Sequence, residues 1–269
     1  MPEGHTIHRI ARDQFAALGH HAVSVTSPQG RFAGGAALVD GTVLDGIDAW
    51  GKHLFYRFDG GGVIHVHLGL FGRFFAVDAA PAEEGLRQVR LRLVGPEGGF
   101  DLTGPTACEL IDAPEVKAIT DRLGPDPLRP GADPGRAWAK LSRRRTPIGV
   151  AIMDQSVVAG VGNVFRAESL YVHGIHPERP SETLERPEWD ALWATLAKML
   201  RAGLRSGRIV TVPRRDPAAR DGRTRYVYRQ EHCGRCSTAI RRWDLAGRWA
   251  YACETCQPLW PGTGAGAGS

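Results

Sequence analysis

Two Cys-x-x-Cys pairs near the end of the chain constrain its fold more than any other feature. Cys233-Gly-Arg-Cys236 is followed by sixteen residues and then by Cys253-Glu-Thr-Cys256. That spacing suits four thiolates around one tetrahedral structural zinc ion. Two disulfides, or four reduced cysteines in a core, are the plainer alternatives. The start Met-Pro-Glu-Gly-His has no secretory character, and no apolar run reaches membrane-spanning length. The expectation is therefore a soluble intracellular protein without a membrane partner, where zinc is favoured over disulfides. Between the pairs, Ala239-Ile-Arg-Arg-Trp243, a turn at Leu245-Ala-Gly247 and Arg248-Trp-Ala-Tyr251 predict a β-hairpin. This is a metal-stapled finger that carries Arg241, Arg242 and Arg248 to an anionic surface.

Charge supports that reading. The formal charge is only +5, but Lys52, Lys117, Lys140 and Lys198 are the only lysines in a Lys+Arg total of 34. Arginine binds phosphate with two parallel donors, although genome-wide codon bias produces the same preference without function. Between residues 201 and 250 thirteen arginines face only Asp216, Asp221, Glu231 and Asp244. Such asymmetry points to an anionic polymer as partner.

At the other end, removal of Met1 would leave Pro2 as a secondary-amine terminus with a pKa of about 7.7–8.0, partly unprotonated at neutral pH. Such an amine condenses with an aldehydic sugar carbon to a charged iminium, and Glu3 stands beside it as a possible acid. Taken alone, Pro-Glu is equally a plain helix start. Ile7, Ile10, Ala11, Phe15 and Leu18 recur at helical spacing, so Thr6 to Leu18 is predicted as an amphipathic helix that fixes the terminus. From Ala22 to about Leu110 the pattern becomes short strands, including His53 to Phe58, Val63 to His67 and Arg73 to Val77, separated by glycine-rich turns. That predicts a β-sandwich or barrel.

Lys52 begins one of these strands in Trp50-Gly51-Lys52-His53; a lone lysine is also ordinary surface charge. In His67-Leu-Gly-Leu-Phe-Gly72, Leu70 and Phe71 occupy a turn, where apolar residues either cap a core or enter a base stack. Cys108 is left over as a small buried hydrophobe. Gly124-Pro-Asp-Pro127 marks a boundary, and helices are predicted for 138–141, 148–158, 164–172 and 187–204. The loop Ala159-Gly-Val-Gly-Asn163 joins two of them. It is either a tight connection or, with Asn163 opening a helix N-terminus, an anion site. Residues 211–224 read as an exposed mobile loop and 262–269 as a flexible tail.

The order of these signals resembles the formamidopyrimidine-DNA glycosylase and endonuclease VIII family of base-excision repair enzymes. The resemblance covers nearly the whole chain. It rests on Pro-Glu-Gly at the mature start, Gly-Lys-His-Leu, Asp154-Gln155, Gly160-Val-Gly-Asn163 with Glu168, and the four cysteines followed by Gln257. It implies an α+β multidomain fold: an N-terminal β-sandwich with a leading helix (1–120), a helix–two-turns–helix domain (121–222) and a C-terminal β-hairpin zinc finger (223–260), with DNA between the domains. It implies a DNA glycosylase that hydrolyses N-glycosyl bonds and a lyase at abasic sites. Pro2 would be the nucleophile at C1′ and Glu3 the acid and base. Lys52, Asn163 and Arg248 would grip phosphates, with Arg241 and Arg242 alongside, and Leu70 or Phe71 would fill the gap left by an everted nucleotide. One structural zinc, damaged double-stranded DNA as partner, no nucleotide cofactor, a monomer and a bacterial cytoplasmic, nucleoid-associated location complete the expectation.

The guanine-repairing branch usually begins Pro-Glu-Leu-Pro-Glu and carries an Asp-x-Arg-Arg-Phe-Gly loop. This chain has Pro2-Glu-Gly-His-Thr6 and Asp112-Ala-Pro-Glu-Val116 instead, which favours endonuclease VIII and oxidised pyrimidines. Gly69-Leu70-Phe71 matches the Gln-Leu-Tyr wedge of that branch only in part, and Thr6 replaces a frequent second glutamate. The alternatives are the same chemistry on oxidised purines (8-oxoguanine, formamidopyrimidines) and a non-catalytic zinc-finger DNA clamp.

Overall fold

The computed structural model describes residues 2–80 and 86–261; Met1 and the expected tail at 262–269 lie outside them. The chain divides into two compact units, Met1–Arg122 and Leu123–Ser269. In the first, helix α1 (Gly4–Leu18) is followed by β1 (Ser24–Thr26), α2 (Ala33–Val39), β2 (Leu44–Trp50), β3 (His53–Phe58), β4 (Val63–His67), β5 (Arg73–Val77), β6 (Val89–Gly95), β7 (Gly98–Thr103), β8 (Ala107–Ile111) and α3 (Ala113–Asp121). The strands form two four-stranded sheets, ordered β1-β6-β7-β5 and β2-β3-β4-β8, with every pairing antiparallel.

Alternation along the strands explains the sandwich. Leu54, Tyr56 and Phe58 of β3 and Ile64 and Val66 of β4 join Leu91, Leu93 and Leu102 of the other sheet in one core, which Ile7, Ala11 and Leu18 of α1 close. Helix α1 is also pinned from within, because the buried Tyr56 hydroxyl donates to Gln14 Oε1 at 2.6 Å. On the other face of β2-β3-β4-β8, Phe55, Val63 and Ile111 pack with Trp50, Val116 and Ile119. Strand β3 is therefore covered on both sides, and His53 marks the polar end of its outer face. The segment at Asp112, expected as a loop, instead begins α3. Asp112 accepts from Glu115 N and Glu115 answers to Asp112 N, a reciprocal cap worth about 1 kcal/mol.

The second unit contains α4 (Pro134–Leu141), α5 (Ile148–Ala151), α6 (Asn163–Val172), α7 (Arg186–Ser206), β9 (Arg241–Asp244) and β10 (Trp249–Ala252). Trp189, Leu192, Leu196 and Leu200 of α7 meet Ile148, Ile152, Val158, Val161 and Phe165 in its core. The helix expected over 148–158 ends at Ala151. Asp154 stops it, since its carboxylate accepts from Ser156 N at 2.9 Å and from Arg144 at 2.7 Å in place of a continued helix. The cysteine hairpin packs on α6: Tyr251, Cys233 and Cys253 share a cluster with Ala167 and Tyr171. Among the described residues no helix is long and apolar enough to cross a membrane.

Candidate functional site

The N-terminal group is built on the first turn of α1. Pro2 is half-buried, whereas Glu3 is wholly buried and caps the helix, its carbonyl accepting from Thr6 N at 2.9 Å. His5 lies buried behind it, and burial pushes its imidazole down to about 4, so this ring is neutral at physiological pH. Packing of α1 on the sandwich thus presents the terminus on a rigid element, as the amphipathic pattern predicted.

Lys52 sits in the tight turn between β2 and β3, where Gly51 adopts φ +60°. It is half-buried beside a histidine cluster that carried no role in the sequence reading. His53 Nδ1 is 2.9 Å from His65 Nε2, and His65 Nδ1 is 2.8 Å from Glu109 Oε1. The His67 ring lies 4.8 Å from that of His53. One signal was available: His65 and His67 alternate on β4, so they share the outer face, and His53 pairs directly with His67. The thiol of Cys108 packs against the sandwich core, and burial pushes it up to about 12, which makes it inert.

Leu70 and Phe71 stand in the β4–β5 turn with 52% and 80% of their surface exposed, so they do not cap a core. Gly69 is required there. It has φ +64°, and a Cβ would come within 1.9 Å of Thr106 Oγ1.

In the second unit, the glycine loop is buried from Ala159 to Asn163. Gln155 shapes it with both ends of its amide: Oε1 accepts from Gly160 N at 2.9 Å and Nε2 donates to Val161 O at 3.0 Å. Asn163 opens α6 but is only 8% exposed, because its amide is engaged inside the protein. Its Nδ2 donates to Trp249 O at 3.0 Å, while its Oδ1 accepts from the guanidinium of Arg166. Arg166, 1% exposed, also donates to Trp249 O at 2.7 Å and to Gly149 O at 3.3 Å. Sequence reasoning passed over Arg166, since nothing marks a helical arginine as buried. The network holds α5, the start of α6 and the hairpin residue after Arg248 together. It fixes the Asn163 amide with its N–H edge toward the hairpin.

The hairpin carries Arg241, Arg242 and Arg248 exposed, as predicted. Arg241 pairs with Glu254 at 2.6 Å, and Arg242 stacks 3.8 Å above the exposed ring of Trp249. Residues 211–224, expected as an exposed mobile loop, are anchored at both ends. Thr211 and Val212 are buried, Ala218 sits in a short 3-10 turn, and Tyr226 donates to Asp216 at 2.5 Å. The anchor is Glu168, wholly buried on α6. Its carboxylate accepts from Thr211 Oγ1, Tyr226 N (2.7 Å), Val227 N (3.0 Å) and Tyr228 N (2.8 Å). Each such bond to a charged acceptor contributes about 1.5–3 kcal/mol, so the carboxylate is balanced by its donors rather than exposed to a ligand.

The four cysteine sulfurs lie within 4.8 Å of one another. The close pairs are 3.4 Å (Cys236–Cys253), 3.6 Å (Cys236–Cys256) and 3.8 Å (Cys233–Cys256). All are too long for a disulfide, at about 2.05 Å. They suit a tetrahedral ion with Zn–S of about 2.3 Å, which places sulfurs about 3.8 Å apart. Tyr171 of α6 puts its hydroxyl 2.9 Å from Cys233 Sγ, a partner that a thiolate ligand would accept from. The group can hold one metal ion and fits a zinc finger.

Comparison with known proteins decides the family. Residues 1–103 match the family model for the formamidopyrimidine-DNA glycosylase N-terminal domain, and residues 123–213 that for the formamidopyrimidine-DNA glycosylase H2TH domain. Endonuclease 8 1 of Mycobacterium tuberculosis is 48% identical over 268 residues, covering 96% of this chain and all of the relative. The chain belongs to the formamidopyrimidine-DNA glycosylase and endonuclease VIII family. A formamidopyrimidine-DNA glycosylase of Thermomicrobium roseum is 33% identical over 79% of the chain and 81% of its own length. Among solved structures, the Lactococcus lactis Fpg in complex with a THF-DNA and an inhibitor superposes with a TM-score of 0.79 at 22% identity, covering 96% of this chain and 100% of that one. That likeness establishes the family fold: N-terminal sandwich, H2TH domain and a C-terminal hairpin with its four-cysteine group.

Proposed function

We propose that this family member is a bifunctional DNA glycosylase and abasic-site lyase of base-excision repair that prefers oxidised pyrimidines. The observation that carries the reading is the terminus, where half-buried Pro2 leads into a rigid helix whose N-cap is the wholly buried Glu3. After removal of Met1, the Pro2 nitrogen attacks C1′ of an everted nucleotide, and the damaged base departs with its bonding electrons and a proton from an acid, the role assigned to Glu3. The nitrogen then loses its proton and its lone pair expels O4′, which takes up a proton as the sugar ring opens; the resulting iminium draws electrons from C1′ and makes the C2′ hydrogen acidic. Loss of that proton expels the 3′ phosphate, and a second elimination expels the 5′ phosphate. Lys52, Asn163 and Arg248 hold phosphates of the same duplex, with Arg241 and Arg242 on the hairpin surface, and exposed Leu70 and Phe71 fill the vacated stack. Cys233, Cys236, Cys253 and Cys256 hold one zinc ion, a closed four-thiolate site that supplies structure and no open position for chemistry. A monomer in the bacterial cytoplasm is the form proposed.

Two features support the pyrimidine branch: the capped helix at Asp112–Asp121, which carries no Arg-Phe loop, and the identity to Endonuclease 8 1. Duplexes with thymine glycol should be cut faster than duplexes with 8-oxoguanine, and the reverse order would assign the purine branch. For the phosphate grip, Arg248→Ala and Asn163→Ala should each weaken binding to every duplex; Arg248→Ala should also reduce the slope of log K against log salt by about 1, whereas Asn163→Ala removes no charge and should leave that slope unchanged. A change in lesion preference at unchanged overall affinity would contradict those roles.

A further inference from the structure

The hydrogen bonds of the histidine cluster have a fixed direction. A carboxylate only accepts, so the proton between Glu109 and His65 is on His65 Nδ1. In a neutral His65, Nε2 then accepts, and the proton of the 2.9 Å contact with His53 is on His53 Nδ1. His53 is thereby left with a bare lone pair on Nε2, next in the chain to Lys52. Such a nitrogen repels a phosphate oxygen. We propose that His65 and Glu109 are positioning residues that convert His53 from acceptor to donor beside Lys52 when a DNA phosphate binds there, with uptake of one proton. The inference rests on the reading that Lys52 grips phosphate.

The proton balance needs no charge on His53. A solvent proton adds to His53 Nε2 while the Nδ1 proton passes to His65 Nε2. His53 ends neutral with an N–H donor, and the positive charge ends on His65, 2.8 Å from the Glu109 carboxylate. Its neighbours make this route the favourable one. Lys52 from the turn, His65 and His67 from β4 and Arg122 after α3 face His53, and burial followed by these charges holds its own ring down to about 3. Burial, His65 and Lys52 also hold His67 below the ordinary histidine value, so it does not take the proton. On the neighbouring strand, Asp48 is occupied by Arg57 at 2.7 Å and Trp50 is the residue paired with His53. Glu109, at the solvent end with a side chain 54% exposed, is the carboxylate that accepts from His65 and balances its charge.

The test is calorimetric titration with a duplex containing a tetrahydrofuran abasic analogue, which binds without forming an iminium. Heats measured at one pH in PIPES and in Tris give the number of protons taken up. Wild-type protein should take up a larger fraction of a proton than Glu109→Gln or His65→Asn, with Glu109→Asp restoring the wild-type number. Titration of the Pro2 amine is common to all four and cancels in the comparison. Between pH 6 and 8 the wild-type affinity should fall more steeply than that of Glu109→Gln, by at most about tenfold per pH unit, the limit for one proton. Equal proton counts in wild type and in whichever of Glu109→Gln and His65→Asn folds would overturn the relay. Lys52→Ala separates the two ideas. If it leaves the salt dependence unchanged, the phosphate reading fails; if it flattens that dependence while the proton counts stay equal, only the relay fails.

Discussion

Cys233→Ser should cost the protein its metal, the order of its hairpin and nearly all tight DNA binding, while the N-terminal sandwich stays folded. A structural four-thiolate zinc site contributes an apparent binding energy of about 10–16 kcal/mol in finger peptides, which is folding energy for a segment this small. Without the metal only one strand holds the hairpin to α6, through buried Ala250, Tyr251 and Ala252 and the Trp249 carbonyl, while Trp243 and Ile240 are only partly buried and the arginines are exposed. Losing it removes Arg248 and also releases Trp249 O, the carbonyl that anchors both Asn163 and Arg166. Two charge-assisted phosphate contacts of about 1.5–3 kcal/mol each would then be lost, a fall in affinity of roughly two orders of magnitude or more. The sandwich has its own core and shares no cysteine with the site. Metal analysis, thermal melting and anisotropy with a labelled duplex check the three parts. A wild-type protein without zinc, or a mutant with full affinity, would defeat the assignment.

The second large effect is at the terminus. Pro2→Gly should bind lesion DNA almost normally, because the proposed phosphate grip lies on other residues, yet lose strand cleavage on the order of a hundredfold, about 2.7 kcal/mol of barrier. A secondary amine forms an iminium that has no neutral form, so it stays activated for elimination. A glycine amine forms an imine that loses its proton and its electron-withdrawing power. Blocking Met1 removal should abolish cleavage as well, since Pro2 would then be a tertiary amide without a nucleophilic lone pair. A Pro2→Gly protein that cleaves at the wild-type rate would remove Pro2 from the chemistry.

Much of the fold was legible because its signals are periodic. The strands His53–Phe58, Val63–His67 and Arg73–Val77 are bounded as their alternation predicts, and the cysteine spacing places the four sulfurs at ligand distance. What escaped depends on tertiary context. Ala33–Val39 contains two glycines and has weak helix propensity; burial of Ala36 and Val39 holds it helical. The 148–158 pattern is apolar at helical spacing, but the helix ends at Ala151, and the Asp154 carboxylate is taken by Ser156 N and Arg144. Site residues divide in the same way. Pro2, Lys52 and the cysteines stand out because their chemistry is unusual for their position. Arg166 and the His53–His65–Glu109 hydrogen-bond chain do not, since a buried ionic residue looks in sequence like an exposed one.

The most direct test of the enzyme reading is borohydride reduction of the protein mixed with duplex DNA containing an abasic site. Reduction converts an iminium to a stable amine, so a covalent protein–DNA species should accumulate, and peptide mass analysis should place the link at the Pro2 nitrogen. Mapping to Lys52 would exchange the roles of those two residues. Normal DNA binding without any adduct would contradict the account and leave a non-catalytic clamp as the function.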